Sequence, residues 1–225
     1  MIEIILASAS PRRQQFFQEL GLPCAIHVAD IDETPRPGEG PVELAHRLAE
    51  SKARAVGDRL VNRKCDRLVV AADTVVALGA ELLGKPLDAA DAVRMLRHLR
   101  TAVHQVHSGV SALLCTADRE TRQETIVNST DVMMRPYSDA EIAAYVDTGD
   151  PMDKAGAYAI QHPTFAPVQR INGCVSGVMG LPLADLRTLL AQFGVQIAQP
   201  LPPLWQFHAA FACCQANEEL NIKYQ

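Results

Sequence analysis

Ile2-Glu3-Ile4-Ile5-Leu6-Ala7-Ser8-Ala9-Ser10-Pro11-Arg12-Arg13-Gln14-Gln15-Phe16-Phe17-Gln18-Glu19-Leu20-Gly21 is the stretch that decides how this chain is read. A short apolar strand, Ile2 to Ala7, passes through a hydroxyl-rich turn directly into a helix. Ser10 suits the N-cap, Pro11 the first helical position and Gly21 the stop just past Leu20. At that helix start the free N–H groups, the Ser8 and Ser10 hydroxyls and the Arg12 and Arg13 guanidiniums converge on one point, which suits a multiply charged anion. Arg13 shares a helix face with Phe16, Phe17 and Leu20, so it emerges where the buried stripe begins. The same residues also suit a plain surface helix, and the rest of the chain has to decide between the two.

Composition narrows the ligand. The 225 residues are 48% hydrophobic and 21% charged, ordinary globular values that exclude a disordered or fibrous chain. A net charge of −5 supplies no general basic field for nucleic acid, so a small phosphorylated ligand held by a local cluster fits better than DNA. The six cysteines, Cys24, Cys65, Cys115, Cys174, Cys213 and Cys214, show no C-x-x-C spacing and read as reduced thiols. No stretch reaches the roughly 18 to 20 apolar residues of a membrane helix, and the N-terminus lacks a basic region followed by a long apolar core, so the expected location is the cytoplasm.

Outward from the first βα unit, Cys24 to Ala29 reads as a strand, followed by an acidic, Pro/Gly-rich loop that includes Asp32, Glu33 and Thr34. A helix from Val42 to Gly57 buries Ala45, Leu48, Ala49 and Val56, and Lys52 falls in the same stripe, facing a cleft or snorkelling along apolar surface. Arg67 to Ala72 reads as a buried strand delivering Asp73 and Thr74 at its C-terminal end, where sites in α/β sheets gather. Val75 to Leu78 and Leu82 to Gly84 predict a hairpin across Gly79-Ala80 with Lys85-Pro86 at its base. Asp88 caps a further helix, long strands follow at Val103 to Cys115 and Glu124 to Met133, and Ser138-Asp139-Ala140-Glu141 is a capping box. Asp150 to Gln161 reads as a loop entering a strand. A strand over Phe165 to Ile171, a loop with Gly173, Gly177 and Gly180, and a helix from Pro182 to Phe193 complete the fold. The domain is expected to span 1–194 as two lobes around a cleft, with 195–225 as an appended linker and short helix.

Three segments taken together carry a family resemblance: Ser8 to Arg13; Ala71-Ala72-Asp73-Thr74-Val75-Val76 with Gly84-Lys85-Pro86; and Asp153-Lys154-Ala155-Gly156-Ala157-Tyr158-Ala159-Ile160-Gln161. In this order they resemble the Maf family of nucleoside triphosphate pyrophosphatases, over roughly residues 2 to 194. The resemblance implies an elongated α/β fold with a mixed sheet, flanking helices and a central cleft, related to inosine triphosphate pyrophosphatases. It also implies hydrolysis of a nucleoside triphosphate to monophosphate and pyrophosphate, dependent on a divalent metal cation, Mg²⁺ or Mn²⁺. Asp73 matches the family's catalytic acid, and Arg12, Thr74 and Gln161 match positions linked to substrate choice. Their identities here look like the branch acting on dTTP and UTP. Ser8, Arg13, Glu33, Lys52 and Lys85 match polar positions lining the family's cleft. The chain departs from the family pattern at Asn172 to Gly177, where an acid and aromatic or amide groups are missing, and at Arg100-Thr101-Ala102.

These residues supply what hydrolysis between the α and β phosphates needs. Arg12, Arg13, Lys52 and Lys85 would hold phosphates, helped by the Ser10 helix start. Glu33 and Asp73 would offer hard oxygen ligands to the metal, and Asp73 would orient the attacking water. Structural readings stand beside these: Asp73 can cap the turn after its strand, and Glu33 and Lys85 can be solvated surface charges. His104 and His107, taken as alternating on one strand face, invite a metal pair but lack a third ligand, so ordinary strand residues are the preferred reading. Cys213-Cys214 has no activating partner. Two alternatives to dTTP and UTP hydrolysis stay open: a nucleotide-sensing regulator of cell division with little or no catalysis, and a pyrophosphatase for modified nucleotides such as 7-methyl-GTP. The apolar tail also makes a homodimer an expectation.

Overall fold

The computed structural model describes residues 2–60, 65–118 and 120–199. The tail read over 200–225, with Cys213 and Cys214, lies outside the described residues. In chain order the elements are β1 (Glu3–Leu6), α1 (Pro11–Glu19), β2 (Cys24–Ile26), α2 (Pro41–Gly57), β3 (Arg67–Leu78), β4 (Glu81–Leu83), α3 (Ala89–Leu99), β5 (His104–Cys115), β6 (Thr121–Met134), α4 (Asp139–Val146), β7 (Val168–Asn172), α5 (Val175–Val178) and α6 (Leu183–Ala191). Helix starts follow the expected chemistry at α3 and α4. The Asp88 carboxylate accepts the Asp91 N–H at 2.8 Å, and Ser138 and Glu141 close a reciprocal capping box.

One mixed sheet of seven strands organises the chain, in the order β2-β1-β3-β5-β6-β7 with β4 on the β1 side of β3. β1 runs parallel to β2 and β3, whereas β3, β5, β6 and β7 pair antiparallel. At roughly 3.3 Å per residue, the 12 residues each of β3 and β5 extend about 40 Å, too long for one small core to cover. Two apolar clusters therefore sit end to end on one face. The first packs Phe16, Phe17 and Leu20 of α1 and Leu186, Leu189 and Leu190 of α6 on Leu68, Val70 and Ala72. The second packs Leu96 and Leu99 of α3 and Ile142 and Tyr145 of α4 near Val76 and Val106. The opposite face is covered by α2, with Ala53 and Val56 over Val69 and Ala71, and Leu44 and Leu48 by Val75.

Between the two end-to-end clusters the sheet carries a polar row. Thr74 pairs with Ser108 in register, and Ser108 with Asn128. Because strand side chains alternate, these three share one face, while their neighbours Asp73 and Gly109 share the other, toward α2.

Several boundaries differ from the sequence reading, each for a physical reason. β3 does not end at Ala72: it continues through Asp73 and Thr74 to Leu78, because β5 pairs with it without interruption from Arg67↔Cys115 to Ala77↔Gln105. Asp73 and Thr74 therefore lie mid-strand, and Asp73 caps no turn. β2 stops at Ile26 because its partner β1 ends at Leu6, the residue opposite. β6 starts at Thr121, extending the ladder to Cys115. Residues 150–161 hold two single turns of 3-10 helix instead of a strand, with Gly156 and Ala157 both at positive φ. The glycine loop after β7 contains the one-turn α5. Phe165 precedes β7 instead of opening it, and stacks on Tyr145 at 4.2 Å between ring centroids. Among the described residues of the tail, Val195 and Ile197 pack onto the first cluster.

Candidate active site

The pairing of β3 with β1 ends at Val70, and that with β4 begins at Val76. Along this stretch the β1 side of β3 has no strand neighbour, and the opening is a cleft of about 1110 Å³. All ten residues singled out from the sequence line it: Ser8, Ser10, Arg12, Arg13, Glu33, Lys52, Asp73, Thr74, Lys85 and Gln161.

The two arginines of the opening turn do not converge. Arg12, half-buried on α1, donates from Nη1 to Gln15 Oε1 at 3.2 Å. Arg13 turns inward and stands in for the missing strand: Nη1 donates to the Ala72 carbonyl at 2.8 Å, Nε to the Gly180 carbonyl at 2.8 Å and Nη2 to Thr74 Oγ1 at 3.2 Å. Burial pulls its pKa below the ordinary arginine value, opposed by the attraction of Asp73 and Glu33. Ser10 occupies the N-cap position of α1, yet its hydroxyl makes no cap bond. Ser8 Oγ instead accepts the Ser10 N–H at 3.1 Å and meets Arg13 Nη1 at 3.4 Å.

On the α2 face, the Lys52 ammonium donates to Asp73 Oδ1 at 2.6 Å and lies 2.7 Å from Glu33 Oε1. Lys52 thus neither snorkels nor stands free: it bridges the two acids expected to bind metal. The Asp73 side chain is 9% exposed and that of Glu33 58%, so the pair has a dry end and a wet end. What brings Lys52 close is Gly109, opposite Asp73 on β5. A Cβ there would stand 2.4 Å from the Ala45 carbonyl oxygen, so only glycine lets the α2 backbone lie this near the sheet.

The far wall is built by the hairpin base and the 153–161 segment, joined where the Gly156 N–H donates to the Gly84 carbonyl at 3.0 Å. Exposed Lys85 makes no hydrogen bond or ion pair among the described residues, and Gln161 likewise has no side-chain partner there. Lys154 is held by Asp150 and Asp153 at 3.0 and 2.7 Å. Tyr158 Oη meets His104 Nε2 at 2.9 Å behind this wall. His104 and His107 are three residues apart and so lie on opposite faces, the latter bonded to Ser129 Oγ at 2.8 Å. Burial lowers the pKa of both, that of His104 to about 4. Their pairing as metal ligands is excluded by this geometry.

Sequence reasoning missed Ser108 and Gly109. A glycine inside an otherwise continuous strand pattern is the signal for Gly109. Ser108 carries no such signal, since its partners are distant in sequence.

The fold and the cleft define an α/β protein with a cleft at a split sheet edge, lined by arginines, lysines and carboxylates. The chain belongs to the Maf family: residues 3–193 match the family described as Maf-like protein. It is 45% identical over 204 residues to the dTTP/UTP pyrophosphatase of Acetivibrio thermocellus, covering 89% of this chain and 100% of that protein. It is 45% identical over 199 residues to the dTTP/UTP pyrophosphatase of Anaeromyxobacter dehalogenans, covering 88% and 96%. Among solved structures, a HAM1 protein from Coxiella burnetii is similar at a TM-score of 0.44 and 18% identity, covering 85% of this chain and 100% of that one.

Proposed function

We propose that the protein hydrolyses pyrimidine nucleoside triphosphates, dTTP and UTP, to the monophosphate and pyrophosphate. The observation that carries this reading is the Lys52 ammonium shared by Asp73 and Glu33 beside the open edge of β3, with Arg12 and Lys85 on the surrounding walls. The names of the relatives supply the substrates.

The donor set is consistent with a divalent ion shared with the substrate. Among the described residues no group of three or more His, Cys, Asp or Glu gathers at one point, so the protein offers no closed metal cage. Two hard carboxylates with substrate phosphates completing the shell is the pattern Mg²⁺ and Mn²⁺ favour. Glu33 and Asp73 would hold it. When bound, such an ion neutralises polyphosphate charge and polarises the phosphoryl group.

Lys52 occupies Asp73 Oδ1, and Oδ2 has no hydrogen-bond partner among the described residues. In this reading Asp73 orients a water through Oδ2 and accepts its proton as the water oxygen bonds to the α-phosphorus. The bond from that phosphorus to the α–β bridging oxygen breaks, and pyrophosphate leaves with the electron pair. Arg12 and Lys85 steady the leaving charge.

The test is Asp73→Asn, which keeps size and removes the base. Pyrophosphate release from dTTP should fall by about two to three orders of magnitude, the scale of a lost general base and ligand. Near-normal turnover with the acid gone would overturn the assignment. Nucleotide binding by the wild type without any pyrophosphate release would favour a sensor instead.

A further inference from the structure

Behind the cleft, two hydroxyls form a directed hydrogen-bond chain. Ser108 is fully buried, and its Oγ lies 2.7 Å from the Gly177 carbonyl oxygen and 2.9 Å from Thr74 Oγ1. Two oxygens at 2.7 Å with no proton between them repel, and a carbonyl has none to give, so the single Ser108 proton points at Gly177. The Thr74–Ser108 contact then needs a proton from Thr74. Arg13 Nη2, which can only donate, takes one lone pair of Thr74 Oγ1 at 3.2 Å. Every direction but one is spoken for: Thr74, half-buried at the cleft wall, has one lone pair left and no proton to offer.

We infer that Ser108 is a positioning residue for substrate choice, which locks the Thr74 hydroxyl as an acceptor toward the base. The inference rests on the pyrimidine triphosphate reading above. An oxygen presenting only a lone pair repels phosphoryl and carbonyl oxygens and accepts an N–H. Uracil and thymine carry such a donor at ring N3, between two carbonyls. Cytosine carries a bare lone pair at the same atom. Gln161 has no side-chain partner among the described residues and can turn either end of its amide to a neighbouring group, so it discriminates less by polarity. Thr74 cannot turn, because its rotor is pinned from both sides. Gly180 packs against this arrangement: a Cβ at this residue would lie 3.5 Å from both Thr74 Oγ1 and Arg13 Nη2, and its φ of +99° favours glycine.

The experiment compares kcat/KM for UTP and CTP in the wild type, Ser108→Ala, Thr74→Val and the double variant. A structural loss lowers both substrates together, whereas a polarity change moves their ratio. Ser108→Ala frees the Thr74 proton to face the cleft, so the UTP:CTP ratio should fall by about tenfold, the worth of one misdirected hydrogen bond. In the Thr74→Val background the same change should leave the ratio as it stands. A ratio unchanged in Ser108→Ala overturns the inference while leaving the pyrimidine reading intact. Should Ser108→Ala fail to fold, Ser108→Cys, a weaker hydrogen-bonding partner, should shift the ratio in the same direction. The wild type should also discriminate against UTP methylated at N3 as strongly as against CTP. Turnover of that analogue at the UTP rate overturns the proposal. A wild type that does not release pyrophosphate from UTP overturns the underlying reading, and this inference with it.

Discussion

Gly109→Ala is the sharpest test of how the fold sets the site. The added Cβ would meet the Ala45 carbonyl oxygen at 2.4 Å, the Ala45 carbonyl carbon at 2.9 Å and Ala49 Cβ at 3.1 Å. The first two are helix backbone, so no side-chain rotation relieves them. Restoring even a tight contact requires α2 to back away from β5 by about 0.6 Å, and an ordinary one about 1 Å. Overpacking of this kind costs about 1–3 kcal/mol, read as a lower denaturant midpoint at unchanged m-value. Lys52 rides on the same helix, and its 2.6 Å bond to Asp73 has little slack. A displacement near 1 Å is enough to cost about a hundredfold in turnover where reacting groups must be held in place. The assay is pyrophosphate release from dTTP at saturating substrate, beside urea unfolding of the same preparation. Loss of turnover larger than the loss of folded protein is expected. A variant with wild-type stability and wild-type kcat would refute the idea that the α2–β5 approach sets the Lys52–Asp73 contact.

Lys52→Met leaves the largely buried Asp73 carboxylate without its ammonium. Because Glu33 is exposed and the cleft is open to water, the stability loss should be about 1–2 kcal/mol by chemical denaturation, well below that of a sealed ion pair, with kcat falling steeply. Lys85→Met, by contrast, removes a cation with no partner among the described residues, so unfolding should not change while KM for dTTP rises several-fold; equal damage to stability would contradict its assignment to the substrate. His104 supplies a pH test. Its folded pKa of about 4 lies below the unfolded 6.5, so the unfolded chain binds the proton first, and stability present above pH 6.5 is lost as pH falls toward 4. Between pH 7 and 5 this amounts to about 2 kcal/mol, and in His104→Phe the pH slope of stability over that window should flatten by about one proton.

Much of this architecture was legible because it is local. The Pro11 and Gly21 signals bracket α1, the Asp88 and Ser138–Glu141 caps are where short-range chemistry puts them, and Gly79-Ala80 turns the hairpin between β3 and β4. The candidate site residues were picked out for a different reason: the family resemblance names them without showing how they meet, and the structure gathers all ten on one cleft. What the sequence hid is long-range. Arg13 finds Ala72 and Gly180, 59 and 167 residues away, and no local pattern predicts a guanidinium in place of a strand. The apolar run stops at Ala72, but continuous pairing with β5 carries the strand through Asp73 and Thr74 to Leu78. The histidines, read as ordinary strand residues sharing one face, are ordinary strand residues on opposite faces, as alternation over a spacing of three requires.

The five cations lining the cleft consequently divide by what already holds them, Lys154 being held by Asp150 and Asp153. Arg13 is fixed to two backbone carbonyls and a hydroxyl, and Lys52 to two carboxylates, so both maintain the open edge of β3 before any ligand arrives. Arg12 is bonded only to a neutral amide, and Lys85 has no partner among the described residues. A cleft in which all five were free would carry uncompensated positive charge beside the apolar core and would be costly to fold. Tying three of them down lowers that cost. It also keeps Asp73 beside an ammonium on the α2 face of β3 and Thr74 pinned by a guanidinium on the opposite face.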